Sequence, residues 1–193
     1  AGGMTMSSTA MIGYVLIAYM ISYGVKNLGM PKSTMITLVL MASTVWLVTC
    51  LLFAAWSDRW GRRRIYIWGA VGGLLAAFPI FWLVDTKQPL LMGLGLFILA
   101  VPLAAMYSPI AAMLSELFPT RLRYTGNSLA YQVGTLAGGA FVPVIATTLY
   151  QIYGTSMAIS AYIFVWICLG LIAVQFVPET SRISLDAPLE SGS

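Results

Sequence analysis

Apolar residues fall in six runs along the chain, at 4–25, 33–56, 65–84, 90–114, 127–150 and 157–177. Short segments between them hold the charges, the turn residues and several prolines. A helix needs about 20 apolar residues to cross a hydrocarbon core about 30 Å thick, and each run meets that length. None alternates at period two over about ten residues, as a membrane β-barrel strand would. The pattern predicts an all-α membrane protein, a bundle of six transmembrane helices over residues 1–177. The polar stretch 178–193 is expected to be a disordered tail.

Composition removes the soluble alternative. Only 8% of residues are charged and 60% are hydrophobic, whereas a soluble domain carries roughly 25% charged residues to wet its surface. Lipid must therefore surround most of the chain. A net charge of +4 does not point to nucleic acid, because the cations sit in short gaps between apolar runs, where they act as topology signals. There is no histidine, which excludes His-based metal sites, His-dependent triads and imidazole proton relays. No cofactor or metal is expected. Cys50 and Cys168 both lie inside apolar runs and read as small buried hydrophobes rather than a disulfide. Nothing resembles a cleavable signal peptide.

The octapeptide Ser57-Asp58-Arg59-Trp60-Gly61-Arg62-Arg63-Arg64 carries four of the ten cations. Placed in the cytoplasm, it shares that side with Arg121, Arg123 and Arg182, while Lys26, Lys32 and Lys87 fall on the other. The excess of basic residues on one side then predicts cytoplasmic N and C termini.

Small residues indicate how the helices touch. Gly69 with Gly73, and Gly134 with Gly138, are spaced one turn apart and allow close backbone approach. Asn127, Tyr131, Gly134 and Gly138 share one face of the fifth helix, for packing or for substrate contact. Pro102 and Pro109 lie seven apart in the fourth helix and are expected to bend it. Tyr107 and Ser108 stand beside the second bend, either as part of a water-filled path or as neighbours of a simple kink. Tyr19 and Tyr23 face one way on the first helix. Tyr23 fits an interfacial anchor as well as a cavity wall; Tyr19, nearer the middle, is the better wall candidate.

No Asp, Glu, Lys or Arg falls in the middle third of any run, so nothing here carries a proton across the membrane unaided. The charges cluster instead at helix ends. Asp58 ends the second helix, Arg59 to Arg64 follow, Glu116 ends the fourth, and Arg121 and Arg123 precede the fifth. Short loops hold these groups near one another, and arginine's fork suits two-pronged pairing with carboxylates. Asp58 could also sit at the positive end of a neighbouring helix.

Asp58-Arg59-Trp60-Gly61-Arg62-Arg63 resembles the D-R-x-G-R-R loop repeated in each half of the major facilitator superfamily. The superfamily's Gly four residues before the Asp is Ala54 here. Ser115-Glu116-Leu117-Phe118-Pro119-Thr120-Arg121-Leu122-Arg123-Tyr124-Thr125-Gly126 is similar to the stretch after the tenth helix of these transporters. Its R-Y-T-G form, followed by Tyr131-Gln132, Gly138-Gly139 and Pro143, resembles the metabolite:proton symporters. Pro178-Glu179-Thr180 resembles the P-E-T after the last helix of sugar-porter-like members. The three motifs stand where they occur in the C-terminal six-helix half of that fold, so the resemblance covers essentially the whole chain.

The resemblance implies a secondary transporter of small metabolites, carboxylates or zwitterions, in symport with protons in the bacterial inner membrane. By that analogy Asp58, Arg59, Gly61, Arg62, Arg63, Glu116, Arg121 and Arg123 form one side of a cytoplasmic gate. The central cavity would draw on Tyr19, Tyr23, Tyr107 and Ser108, with Asn127, Tyr131 and Gln132 from the fifth helix. Partners would be the lipid bilayer, the substrate, protons, and an N-terminal six-helix half or a second six-helix chain. The apolar start at Ala1 suggests a truncated transporter. The alternatives are a half-transporter that works as a dimer and a non-transporting membrane subunit or scaffold, the latter favoured by the lack of an intramembrane acid. A membrane enzyme is disfavoured by the absence of H-E-x-x-H and G-x-S-x-G motifs.

Overall fold

The computed structural model describes residues 2–116 and 123–177, with the backbone alone at Arg123. Arg121, the side chain of Arg123, Arg182, the Pro178-Glu179-Thr180 motif and the tail to residue 193 lie outside the described residues. No strand occurs among those described. Five helices are long and apolar enough to cross a membrane: α1 (Gly2–Lys26), α2 (Lys32–Trp60), α4 (Pro89–Glu116), α5 (Tyr124–Tyr153) and α6 (Met157–Gln175). A bent pair, Arg62–Ala76 and Pro79–Asp85, makes α3 and completes six.

α4 is the hub. It packs against α2 and α3, while α1 packs against α5 and α6 and also touches α4. The core is almost wholly aliphatic and aromatic, with Leu96, Leu99, Met106, Ile159 and Ile163 fully buried. Against this, α2 buries only Met35, Val39, Ala42 and Ser57 along 29 residues, so most of its apolar surface faces outward.

The helices run past their apolar runs. α2 continues through Asp58 and Arg59 to Trp60, since a helix propagates until its backbone bonds are broken and polar residues cost nothing beyond the hydrocarbon edge. At 30 residues, α5 is roughly 45 Å long, so its ends project beyond the hydrocarbon.

The bend in α3 and two π-helical turns were not anticipated from the runs, whereas an irregularity in α4 was expected from Pro102 and Pro109. α3 bends by 46° where Pro79 opens its second segment; proline supplies no N–H to the preceding turn and crowds it, so the helix breaks there. Two π-helical turns interrupt α1 at Val15–Tyr19 and α5 at Leu136–Ala140. In α4, Pro102 is accommodated inside the helix, and regular geometry stops at Tyr107 before resuming at Ile110.

The glycine pairs serve packing. A Cβ at Gly69 would press on the α4 backbone at Pro102 and Met106. One at Gly138 would overlap the backbone of Ser7 in α1. Ser7 also donates its hydroxyl to the Gly134 carbonyl at 2.8 Å, so α1 and α5 are in backbone contact along this stretch.

Candidate functional site

Two polar ends and one cavity hold nearly all the chemistry. At the first end, Gly61 joins α2 to α3 with φ of 102°, a conformation that residues with a Cβ rarely adopt. Its N–H bonds the Ser57 carbonyl at 3.1 Å, and its own carbonyl accepts from Ile65 at 3.3 Å. The turn is therefore held on both sides, and it sets Arg62 on the first turn of α3. The Arg62 guanidinium lies 2.9 Å from Glu116 at the end of α4 and 3.5 Å from Asp58 at the end of α2. Arg62 and Glu116 are 16% and 8% exposed, Asp58 67%. Coulomb attraction is screened in water and strengthened where water is displaced, so the Arg62–Glu116 contact dominates and Asp58 contributes an outer ligand. Arg59 is exposed and Arg63 half-buried. Among the described residues neither has a carboxylate partner.

At the opposite end Asp85 closes α3. It accepts the Tyr23 hydroxyl at 2.6 Å on one oxygen and the Ser156 hydroxyl at 2.5 Å on the other. Tyr23 stacks on Tyr19 with ring centres 5.6 Å apart and meets Tyr150 edge-on at 5.3 Å. Tyr19 and Tyr23 are 1% and 2% exposed. They sit in the packed core and do not line the cavity described next. The partnership of Tyr23 with Asp85 spans 62 positions across a loop, and no local pattern announces it.

A cavity of about 370 Å³ opens between α1, α2, α4 and α5. Tyr107 and Tyr131 line it with their hydroxyls 2.9 Å apart. Trp46 of α2 meets Tyr107 edge-on at 5.4 Å, and Thr9, Tyr14 and Thr135 complete its polar wall. A smaller recess of about 190 Å³ is bounded by Asn127, Tyr131 and Gln132, so Tyr131 borders both. The Ser108 hydroxyl is buried beside the α4 irregularity and has no hydrogen-bond partner among the described residues. The same holds for Trp46 Nε1, Thr135 Oγ1 and Asn127 Oδ1. Buried polar atoms nearly always find partners, so Trp46 and Thr135 give the cavity wall, and Asn127 the smaller recess, hydrogen-bonding capacity to offer a small polar molecule. Among the described residues no charged side chain lines the cavity. An uncharged wall of aromatic faces, hydroxyls and an indole can orient a small solute through hydrogen bonds and stacking.

Trp46, Thr9, Tyr14 and Thr135 escaped the sequence reading. Trp46 had a usable signal, since it lies mid-run, far from the membrane edges where tryptophan collects. The threonines had none.

Known proteins agree with this architecture. The sugar (and other) transporter family model matches residues 1–188. The chain is 28% identical over 171 residues to the shikimate transporter of Escherichia coli (strain K12), covering 88% of this chain and 39% of that protein. It is 28% identical over 191 residues to the inner membrane metabolite transport protein YhjE of the same organism, covering 95% and 43% respectively. With the proline/betaine transporter, also of that organism, identity is 29% over 169 residues, 88% of this chain and 34% of the relative. The chain thus spans well under half the length of these curated relatives. Six apolar helices mark it as a multi-pass membrane chain, and with a match along nearly all of its length the chain belongs to the sugar (and other) transporter family of the major facilitator superfamily.

Proposed function

We propose that this chain is one six-helix half of a secondary transporter for a small organic acid or zwitterion, coupled to protons and working by alternating access. The observation that carries the proposal is the aromatic-walled cavity between α1, α2, α4 and α5, with polar atoms left unpartnered at Trp46 and Thr135. Its relatives are named as transporters of shikimate and of proline and betaine, all small and polar. On this reading the substrate's charged group would be met by a second six-helix half, from the same polypeptide or another. The Arg62 end is proposed to face the cytoplasm, where Asp58, Arg59, Arg62, Arg63 and Glu116, with Arg121 and Arg123, would form this half's share of the inner gate.

Uptake of labelled shikimate, proline and glycine betaine into vesicles carrying the whole gene product tests the reading. Tyr107→Phe and Tyr131→Phe each remove a hydroxyl while keeping the ring, and a lost hydrogen bond of about 1.4 kcal/mol corresponds to a tenfold rise in KM. Unchanged KM in both variants for every transported solute would remove this cavity from the substrate path. Imposing a pH gradient tests the coupling separately, since a rate indifferent to the gradient excludes protons as the driving ion.

A further inference from the structure

The Arg62 end carries a second assembly that shares only Arg59 with the proposed gate. Trp56 and Trp60, one turn apart at the end of α2, stack with ring centres 6.3 Å apart and planes 14° from parallel. Trp68 of α3 meets Trp60 edge-on at 5.4 Å, 88° between planes. The three are 50%, 57% and 54% exposed, so a continuous indole ladder bridges α2 and α3 on the outside of the bundle. Half of the chain's six tryptophans are in it. Packing does not account for this, because an indole needed only for packing would be buried.

The cations beside the ladder are the ones without carboxylates. Arg62 engages both Glu116 and Asp58. Arg59 and Arg64 are exposed and Arg63 half-buried, and among the described residues no acid pairs with any of the three. Arg64 precedes Trp68 by four positions, which puts the two on the same face of α3 a turn apart, with the arginine nearer the helix end. Arg59 adjoins Trp60 at the end of α2. An amphipathic ring platform below and guanidinium groups above match a phospholipid in cross-section. Indoles seat at the headgroup–acyl boundary, and arginine forks bind phosphate oxygens in pairs.

We propose that Trp56, Trp60 and Trp68 with Arg59 and Arg64 form a binding site for one anionic phospholipid, its phosphate held by the arginines and its glycerol and upper acyl chain lying on the indole ladder. The inference rests on the membrane-spanning fold and not on the transport reading, so either can fail alone. A role as topology signals and nonspecific interfacial anchors would give no preference between headgroups, and that difference is measurable.

Native mass spectrometry of the purified protein with phosphatidylglycerol or phosphatidylcholine, matched in acyl chains, reads lipid retention directly. Wild type is expected to retain phosphatidylglycerol preferentially. Each surface cation contributes about fivefold to attraction of an anionic headgroup, so Arg59→Gln with Arg64→Gln should lower the preference by at least about tenfold. Trp60→Leu with Trp68→Leu should reduce retention of phosphatidylglycerol while leaving the arginines in place. Equal retention of the two lipids by wild type, an undiminished preference in the arginine variant, or full retention in the tryptophan variant would overturn the site. Should a variant not fold, unmodified protein in nanodiscs supplies the answer. Brominated phosphatidylglycerol should quench its tryptophan fluorescence more than brominated phosphatidylcholine, and equal quenching refutes the proposal.

Discussion

The two ends of the bundle each centre on a carboxylate, but one is answered by a cation and the other by hydroxyls. Glu116 is nearly enclosed and meets Arg62 at 2.9 Å. Asp85 sits on an exposed helix end and takes short bonds from Tyr23 and Ser156. The first arrangement joins α3 to α4 and reaches α2 through Asp58; the second joins α1, α3 and α6. A guanidinium–carboxylate pair holds its partners over several ångströms and can be remade with other partners, because Coulomb attraction falls slowly with distance. Hydroxyl bonds hold only within about 3 Å and within a narrow angle. One end is thus suited to exchanging partners and the other to fixing three helices in place, although both were assembled from residues at helix termini.

Substitutions can break that contrast. Arg62→Ala should be the most damaging, because it strands Glu116 as a largely enclosed charge. Losing one partner of a buried pair costs about 3–5 kcal/mol, read as a fall in thermal midpoint in detergent or nanodiscs. Replacing both, as Arg62→Leu with Glu116→Leu, should restore most of that loss, and failure to recover would show that the damage comes from packing rather than stranded charge. Asp85→Ala should be next. It leaves two hydroxyls without an acceptor at about 1–3 kcal/mol for a buried group, and chemical denaturation of the purified protein measures it. Tyr23→Phe should cost about 1 kcal/mol, and in combination with Asp85→Ala the two should be less than additive, since they share one bond. Asp58→Asn should be smallest, below about 1 kcal/mol, because its carboxylate is mostly in water. An Asp58→Asn penalty as large as that of Arg62→Ala would mean that the outer carboxylate, not Glu116, anchors this end.

Legibility in the sequence follows the same contrast. The Arg62 end was readable because its residues recur in a fixed order around Gly61, and short loops confine Asp58, Arg62 and Glu116 to one edge. The Asp85 end was not, since Tyr23 lies in the first run while Asp85 and Ser156 come from two separate gaps, and nothing local ties them. Tyr19 and Tyr23 were expected at a cavity wall from their shared helical face and from the resemblance; spacing gives a shared face and not its direction, and within this chain both rings pack in the core. The six spans were plain from apolar run length. The bend in α3 was also written there, in Pro79, though a run of apolar letters masks it. The π-helical turns in α1 and α5 leave no comparable trace, and the one in α5 lies where that helix meets α1.

That meeting has a mechanical side. Where Gly138 lies against the Ser7 backbone, α1 and α5 approach so closely that no side chain fits between them, which resists sliding. They can still tilt, which makes the contact a fulcrum. Tyr131 stands seven residues away, roughly 10 Å along the axis, so a tilt of about 10° would carry its hydroxyl about 2 Å relative to Tyr107, enough to part the pair that walls the cavity. The first turn of α5 has a lever arm about twice as long, roughly 22 Å, and would swing about twice as far. Small rotations at a glycine would then be read out as large displacements beside Arg62.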